Sequence, residues 1–551
     1  MQCVGDGMAI KEILFGAILA AVIGGAASAQ VTDPSAANIR AHISFLASDL
    51  LQGREAGTPG YDIAAAYVAS QMAQLGLTPK GDRQGAAGEA SYFQHVPLVA
   101  YRATDQGSLA LKNPAGQVTT LVFGEDYVVR GEPTAGQTQL SAPLVFVGFG
   151  IVAPEHKRDD YKGVDVRGKI AVALIGAPKS FQTEERAYYT DARGKRAAAL
   201  AHGAVGILFV NTPTREKLAP FANTARQYAS WAMTWRGADG APFLPSPLPS
   251  VGTISLAGAA KLFAGAKTPL ASIMAAAESE AGAVPALPLA QSLSATLHSE
   301  IKPVESENIV GVIPGSDPAL KDQYVVLSAH LDHIGITPPV NGDSINNGAL
   351  DNASGTAITL EVARLFAASG KPPRRSVLFL IDTAEEKGLV GADYFARNPT
   401  VPASAIAADV DLDMPVLTYD FTDVVAFGAD RSSIGPAVRK VSEGMNVRLS
   451  PDPMPDEGIF TRSDHYRFVQ QGVPAVFLMT GFANGGEKAF TDFMANNYHK
   501  PSDDLNLPIR YDVGAKFARL NYAITRELAD ATARPAWNKG DFFGDKYAKP
   551  R

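Results

Sequence analysis

His330, Asp332, Asp351, Glu385, Glu386, Asp413 and His499 are the residues of this chain whose types and surroundings could do chemistry. They stand in five short stretches: AHLDH with His330 and Asp332, GALDNASG around Asp351, TAEEKGLVGADYF with Glu385 and Glu386, DLDM with Asp413, and YHKPSDD with His499. Imidazole nitrogen and carboxylate oxygen are good zinc ligands, and a catalytic zinc keeps one position open for water. A pair of ions also needs a carboxylate that can bridge them, and a hydrolase needs an acid that stays off the metal to carry a proton. Together these side chains contain all of those parts, so they point to two Zn2+ per chain and to hydrolysis.

Each residue has an expected place. His330 follows an apolar strand read over 324–327, and Asp332 is expected to hold the second ring nitrogen, which fixes the tautomer of a metal-binding histidine. His333 is the less favoured imidazole and is expected to line the cleft. Asp351 lies in the small-residue turn 348–355, which opens a helix over 355–368; glycine and alanine there let backbones approach closely, and Asn346 and Asn347 are expected to shape the loop. Its plainer reading is an ordinary turn and helix cap. Glu385 and Glu386 follow a strand read over 377–381. Their side chains point differently, so one suits a metal and the other a proton shuttle. Alternation puts Asp409, Asp411 and Asp413 on one face of a strand, and spacing does not choose between Asp411 and Asp413. Asp503 and Asp504 stand near His499 as orienting acids.

These sites demand a scaffold that presents strand ends. From residue 306 onward strand and helix patterns alternate, with further strands at 475–478 and a last helix at 512–531. That alternation argues for an α/β fold with a mostly parallel central sheet and helices on both faces, and open sheets of this kind build sites at the carboxyl ends of their strands. Residues 36–77 read as largely helical, broken by a turn at 53–60. Between about 140 and 265 a separate strand–helix–strand texture appears, with no convergent ionisable set. The stretch 271–290 reads as a linker or peripheral helix.

At 551 residues the chain exceeds one ordinary core. A hydrophobic fraction of 46% and a charged fraction of 19% fit a globular protein. The net charge of -7 and the absence of a long basic cluster exclude an electrostatic nucleic-acid binder. The apolar run 13–23, with Lys11 before it and Ala27-Ser28-Ala29 after it, reads as an export signal cleaved after Ala29, with Met8 an alternative start. The run is shorter than the ~20 residues a membrane span needs, so a periplasmic or secreted protein without stable membrane insertion is expected. The single cysteine, Cys3, falls in that segment, leaving no disulfide in the mature chain.

The order and contexts of the candidate residues resemble the co-catalytic zinc exopeptidases of the bacterial leucyl aminopeptidase and glutamate carboxypeptidase type, metallopeptidase family twenty-eight. The resemblance covers 36–99 and 306–531, and the region between is similar to the protease-associated (PA) domain, on Asp160-Tyr161-Lys162-Gly163 and His202-Gly203-Ala204-Val205-Gly206. With the export signal taken as 1–29, it implies a discontinuous peptidase domain at 30–100 and 296–535 and an insertion at 101–295 with a PA core of about 140–265, leaving a tail at 536–551. It implies that His330 and Asp413 hold one zinc, Glu386 and His499 the other, Asp351 bridges them, and Glu385 is the base. A cis peptide at Asp351-Asn352 is implied as well. Ser463-Asp464-His465 matches a segment near such sites, with His465 either supporting a ligand, facing substrate or purely structural. The implied activity on peptide substrates is aminopeptidase first. A carboxypeptidase or dipeptidase on the same core, a single-zinc glutaminyl cyclase and a non-catalytic binding protein are the alternatives.

Overall fold

The structure, a computed structural model, describes residues 33–84 and 88–548. The expected export signal and Cys3 lie outside the described residues. Among those described, no helix is long and apolar enough to cross a membrane.

Four parallel strands form the centre of the site-bearing sheet: Ser376–Asp382, Tyr324–His330, Ile406–Asp411 and Ala475–Thr480. Every residue in them is buried, because helices cover both faces, and such strands read as nearly unbroken apolar runs. Outside this centre the pairing turns antiparallel, with Leu287–Ile313 on one side and Asp423–Phe427 on the other. Helices Ala36–Leu46, Ser354–Ala368 and Tyr511–Asp530 pack together on the sheet, and Val390–Arg397 with His465–Val469 forms a second group. Local chemistry starts the early helices. The Ser35 side chain accepts from the Asn38 amide, and Thr58 caps Pro59–Gln74, where proline sits at the first turn and needs no amide partner.

A second sheet forms the inserted unit. Gln137–Phe146, Ile170–Leu174, Gly206–Val210 and Ser250–Ile254 run parallel. The long strand Leu287–Ile313 serves both sheets: residues 287–298 pair with the inserted unit and 299–313 with the site-bearing one. The two units keep separate cores, one running from Ile39 to Phe543 and one from Leu109 to Leu297. Helix Leu270–Glu278 is no linker, since Ile273, Met274 and Ala277 are buried in the second core. Near the C-terminus, helix Phe542–Tyr547 is also no loose tail, for Phe543 is fully buried against Phe460.

Candidate metal centre

Three adjacent strands deliver the site. His330 is the last residue of its strand and stands level with Asp382, and Ser328 stands level with Asp411 on the next strand. The turn bearing Glu385 and Glu386, the loop bearing Asp351 and the residues around Asp413 all gather at this carboxyl edge. His330 Nε2 lies 3.1 Å from Asp413 Oδ1 and 3.4 Å from Asp351 Oδ1. On the other side, His499 Nε2 lies 3.3 Å from Asp351 Oδ2 and 3.0 Å from Glu386 Oε2. Asp351 thus offers one oxygen to each imidazole.

These separations test whether metal fits. Two ligands on one tetrahedral zinc, each about 2.0–2.1 Å from it, stand about 3.3 Å apart, which matches all four distances. His333 Nδ1 is also close to the acids, 2.6 Å from Glu386 Oε1 and 4.0 Å from Asp351 Oδ2. The first distance is too short and the second too long for that spacing. Geometry therefore favours His499 as ligand and gives His333 a grip on the other oxygen of Glu386. Neither His333 nitrogen has an aligned hydrogen-bond partner, although the ring is fully buried.

The protonation balance reflects crowded acids. Burial opposes ionisation of Asp351 and the Glu386 charge repels it, yet His330, His499 and His333 hold its pKa below the usual range. Burial, with Asp413 and Glu386, pushes Glu385 well above the ordinary glutamate value, against the pull of His330. His499 resists burial and is raised to about 10, chiefly by Glu386 and Asp351. A cation at this place would relieve the same repulsion.

Several supports differ from the expected ones. The Nδ1–H of His330 donates to the backbone carbonyl of Asp332 at 3.1 Å, while the Asp332 carboxylate stands 4.0 Å away. That carboxylate instead accepts from the amides of Glu385 at 3.0 Å and Glu386 at 3.4 Å. Asp332 thus positions the glutamate turn instead of gripping the His330 ring. Asp503 accepts the amides of Leu350 and Asp351 rather than orienting His499, and Asp504 caps Asn506 on the surface. Of the three alternating acids, Asp413 reaches His330, whereas Asp411 bonds Ser328 and Ser463. His465 is fully buried against Phe460 and Phe477 and does not face the cleft.

The Asp351–Asn352 peptide is cis. Asn352 then ties two loops together, accepting from Gly355 and Met414 and donating to Leu412. A side chain at Gly355 would meet Asn352 Oδ1 at 2.1 Å, so glycine alone permits this approach. Asn346 donates to Gly335, and Asn347 to Asp49, fixing the loop as expected. Sequence reasoning missed Arg54. It is fully buried and donates to the carbonyls of Leu331, Asn347 and Gly348, bolting the loops of His330 and Asp351 together. Burial lowers it to about 10 against the pull of Asp503, Asp332 and Asp351. Its only sequence signal was a charged residue inside a glycine-rich turn.

Residues 308–525 match the model of Peptidase family M28. They form a domain of that family. Among curated proteins, a probable zinc metalloprotease of Pyrenophora tritici-repentis is 36% identical over 115 residues, 21% of this chain and 25% of that protein. A probable glutamate carboxypeptidase of Zea mays is 27% identical over 412 residues, 68% of this chain and 51% of its own length. The chain thus spans about a quarter of the first relative and half of the second. Among solved structures, an aminopeptidase from Aneurinibacillus sp. shares the fold, with a TM-score of 0.52 and 19% identity over 92% of this chain and 96% of that one.

The M28 domain opens onto a cavity of about 1480 Å3, lined by Glu385, Glu386, Asp413 and His499 on its side and by Phe149, Lys195 and Arg215 from the inserted unit. That is roomier than the ~300–1,000 Å3 of most small-molecule sites and suits an extended chain.

Proposed function

We propose that this protein is an exported zinc exopeptidase, in first place an aminopeptidase, that binds two Zn2+. The observation that carries this is the two-sided use of Asp351, with a histidine and a second acid on each side at ligand spacing. His330 and Asp413 would hold one ion, Glu386 and His499 the other, and Asp351 both. When bound, the ions supply a lowered water pKa, near 7 in favourable sites, and a counter-charge for the carbonyl oxygen. Glu385 lines the cavity beside these residues without an ion-pair partner closer than the 4.0 Å to His330. It takes the proton of the attacking water and passes it to the leaving amine. The insertion, as a protease-associated domain, would wall the cleft and limit it to chain ends.

The test is hydrolysis of amino-acid amides, N-blocked dipeptides and free dipeptides by purified protein, with metal analysis of the same sample. Cleavage of amides and free dipeptides with two zincs per chain is expected. One tightly bound zinc would favour a glutaminyl cyclase, and none a binding protein. One observation favours the carboxypeptidase reading: the Arg215 guanidinium in the cavity wall has no ion pair among the described residues, which suits a terminal carboxylate. Cleavage of N-blocked dipeptides alone would establish that alternative.

A further inference from the structure

The turn that carries Glu385 and Glu386 is conformationally demanding. The amides of Gly388 and Leu389 both donate to the Glu385 carbonyl at 2.8 Å, and Val390 donates to Ala384. Ala384 and Leu389 at its two ends have φ of 54° and 59°, a left-handed region that side-chain-bearing residues rarely occupy. Such a turn persists only if its surroundings hold it. The site-bearing unit supplies three holds: the Asp332 carboxylate on the two glutamate amides, Glu55 on Lys387 at 2.8 Å, and Arg467 donating to the Gly388 carbonyl at 3.1 Å. The fourth comes from the insertion. Arg193, in the first turn of helix Ala192–Ala201, donates to the same Gly388 carbonyl at 3.1 Å. Two guanidiniums on one carbonyl repel each other, and Arg467 is buried with an unpartnered Nε.

We infer that Arg193 is a positioning residue, through which the inserted unit sets the place of Glu385 and Glu386. The insertion then takes part in catalysis instead of only walling the cleft. The kinetic side of this rests on the exopeptidase reading above; the hydrogen-exchange side does not.

The experiment compares Arg193→Ala, Arg193→Lys and Arg186→Ala in the full-length, zinc-loaded protein. Arg186 pairs with Asp456 at 3.0 Å, a contact between the same two units that leaves the turn untouched. Arg193→Ala should lower kcat about tenfold, the scale of a small misplacement of a reacting group. KM should stay within about twofold, zinc content should not change, and amide exchange over 384–390 should quicken. Arg193→Lys should restore part of kcat, and Arg186→Ala should match wild type. A rise in KM at constant kcat would make Arg193 a substrate-binding group and overturn the inference, as would equal effects of Arg193→Ala and Arg186→Ala. Unchanged exchange over 384–390 in Arg193→Ala overturns it even if the wild-type protein cleaves no peptide.

Discussion

The two units of this molecule build the same kind of edge and furnish it with different side chains. Each has parallel strands whose carboxyl ends open toward the shared cavity. In the M28 domain those ends carry His330, Asp382 and Asp411, and the loops beyond add Asp351, Glu386 and Asp413. In the inserted unit the strands end in Phe146, Leu174, Val210 and Ile254. There Lys195 reaches back and donates to the carbonyls of Leu174 at 2.8 Å and Gly176 at 2.6 Å. One edge gathers acids and imidazoles around a place for cations, and the other is closed by a single buried lysine. Parallel topology creates the location, and side-chain identity decides whether it becomes a reactive centre or a wall.

The largest effect that sharpens this contrast is expected at Glu385. Glu385→Gln should keep its metal and lose turnover by about 10²–10⁴-fold, the usual contribution of a general base. Turnover near wild type in the fully metallated variant would remove Glu385 from that role. Next come the two imidazoles near Glu386. His499→Ala should bind one ion per chain instead of two, whereas His333→Ala should weaken the second ion by about 10–100-fold and keep the stoichiometry at saturation. The reverse ranking, read by metal titration, would make His333 the ligand.

Chelation should then separate the two units. Removing metal should speed hydrogen exchange at 349–353 and 411–414 and leave the strands Ile170–Leu174 and Gly206–Val210 protected, since metal binding is stability for the unit that binds it. Equal loosening of both units would erase the distinction. The smallest effect is the pH response of Lys195. Burial lowers it to about 7, with Asp160 raising and Arg158 lowering it further. Its folded pKa lies below the ordinary lysine value of about 10.4, so between the two the unfolded chain binds the extra proton. The stability linked to neutral Lys195 is therefore complete above about pH 10.4 and is lost as pH falls toward 7. The slope is at most about 1.4 kcal/mol per pH unit. Lys195→Met should flatten that part of the unfolding profile, and an unchanged slope would place the titration elsewhere.

Much of the site was legible because its residues follow apolar runs that can only be buried strands. His330 and the Glu385–Glu386 pair were placed by that signal, and the strands Tyr324–His330 and Ser376–Asp382 extend the expected ones by a few residues. The choice between Asp411 and Asp413 was not legible. A two-residue alternation does not say where the pleat stops, and the strand ends at Asp411, which frees Asp413 to turn toward His330. The contacts of Asp332 were not legible because its partners, the amides of Glu385 and Glu386, come from a neighbouring strand's exit 53 and 54 residues away. Arg54 was missed for a related reason: besides Leu46, the carbonyls it grips lie 277, 293 and 294 residues along the chain.

By itself, the sequence determined the chemical inventory, the α/β class and the order in which ligand-bearing loops leave the strands, since these depend on residue type and local period. Tertiary structure alone decided which imidazole shares Asp351 with His330, which acid each serine restrains, and that an arginine of the insertion grips the glutamate turn. Those outcomes depend on atoms brought within about 3 Å by packing of distant segments, and no local pattern along the chain encodes such a distance.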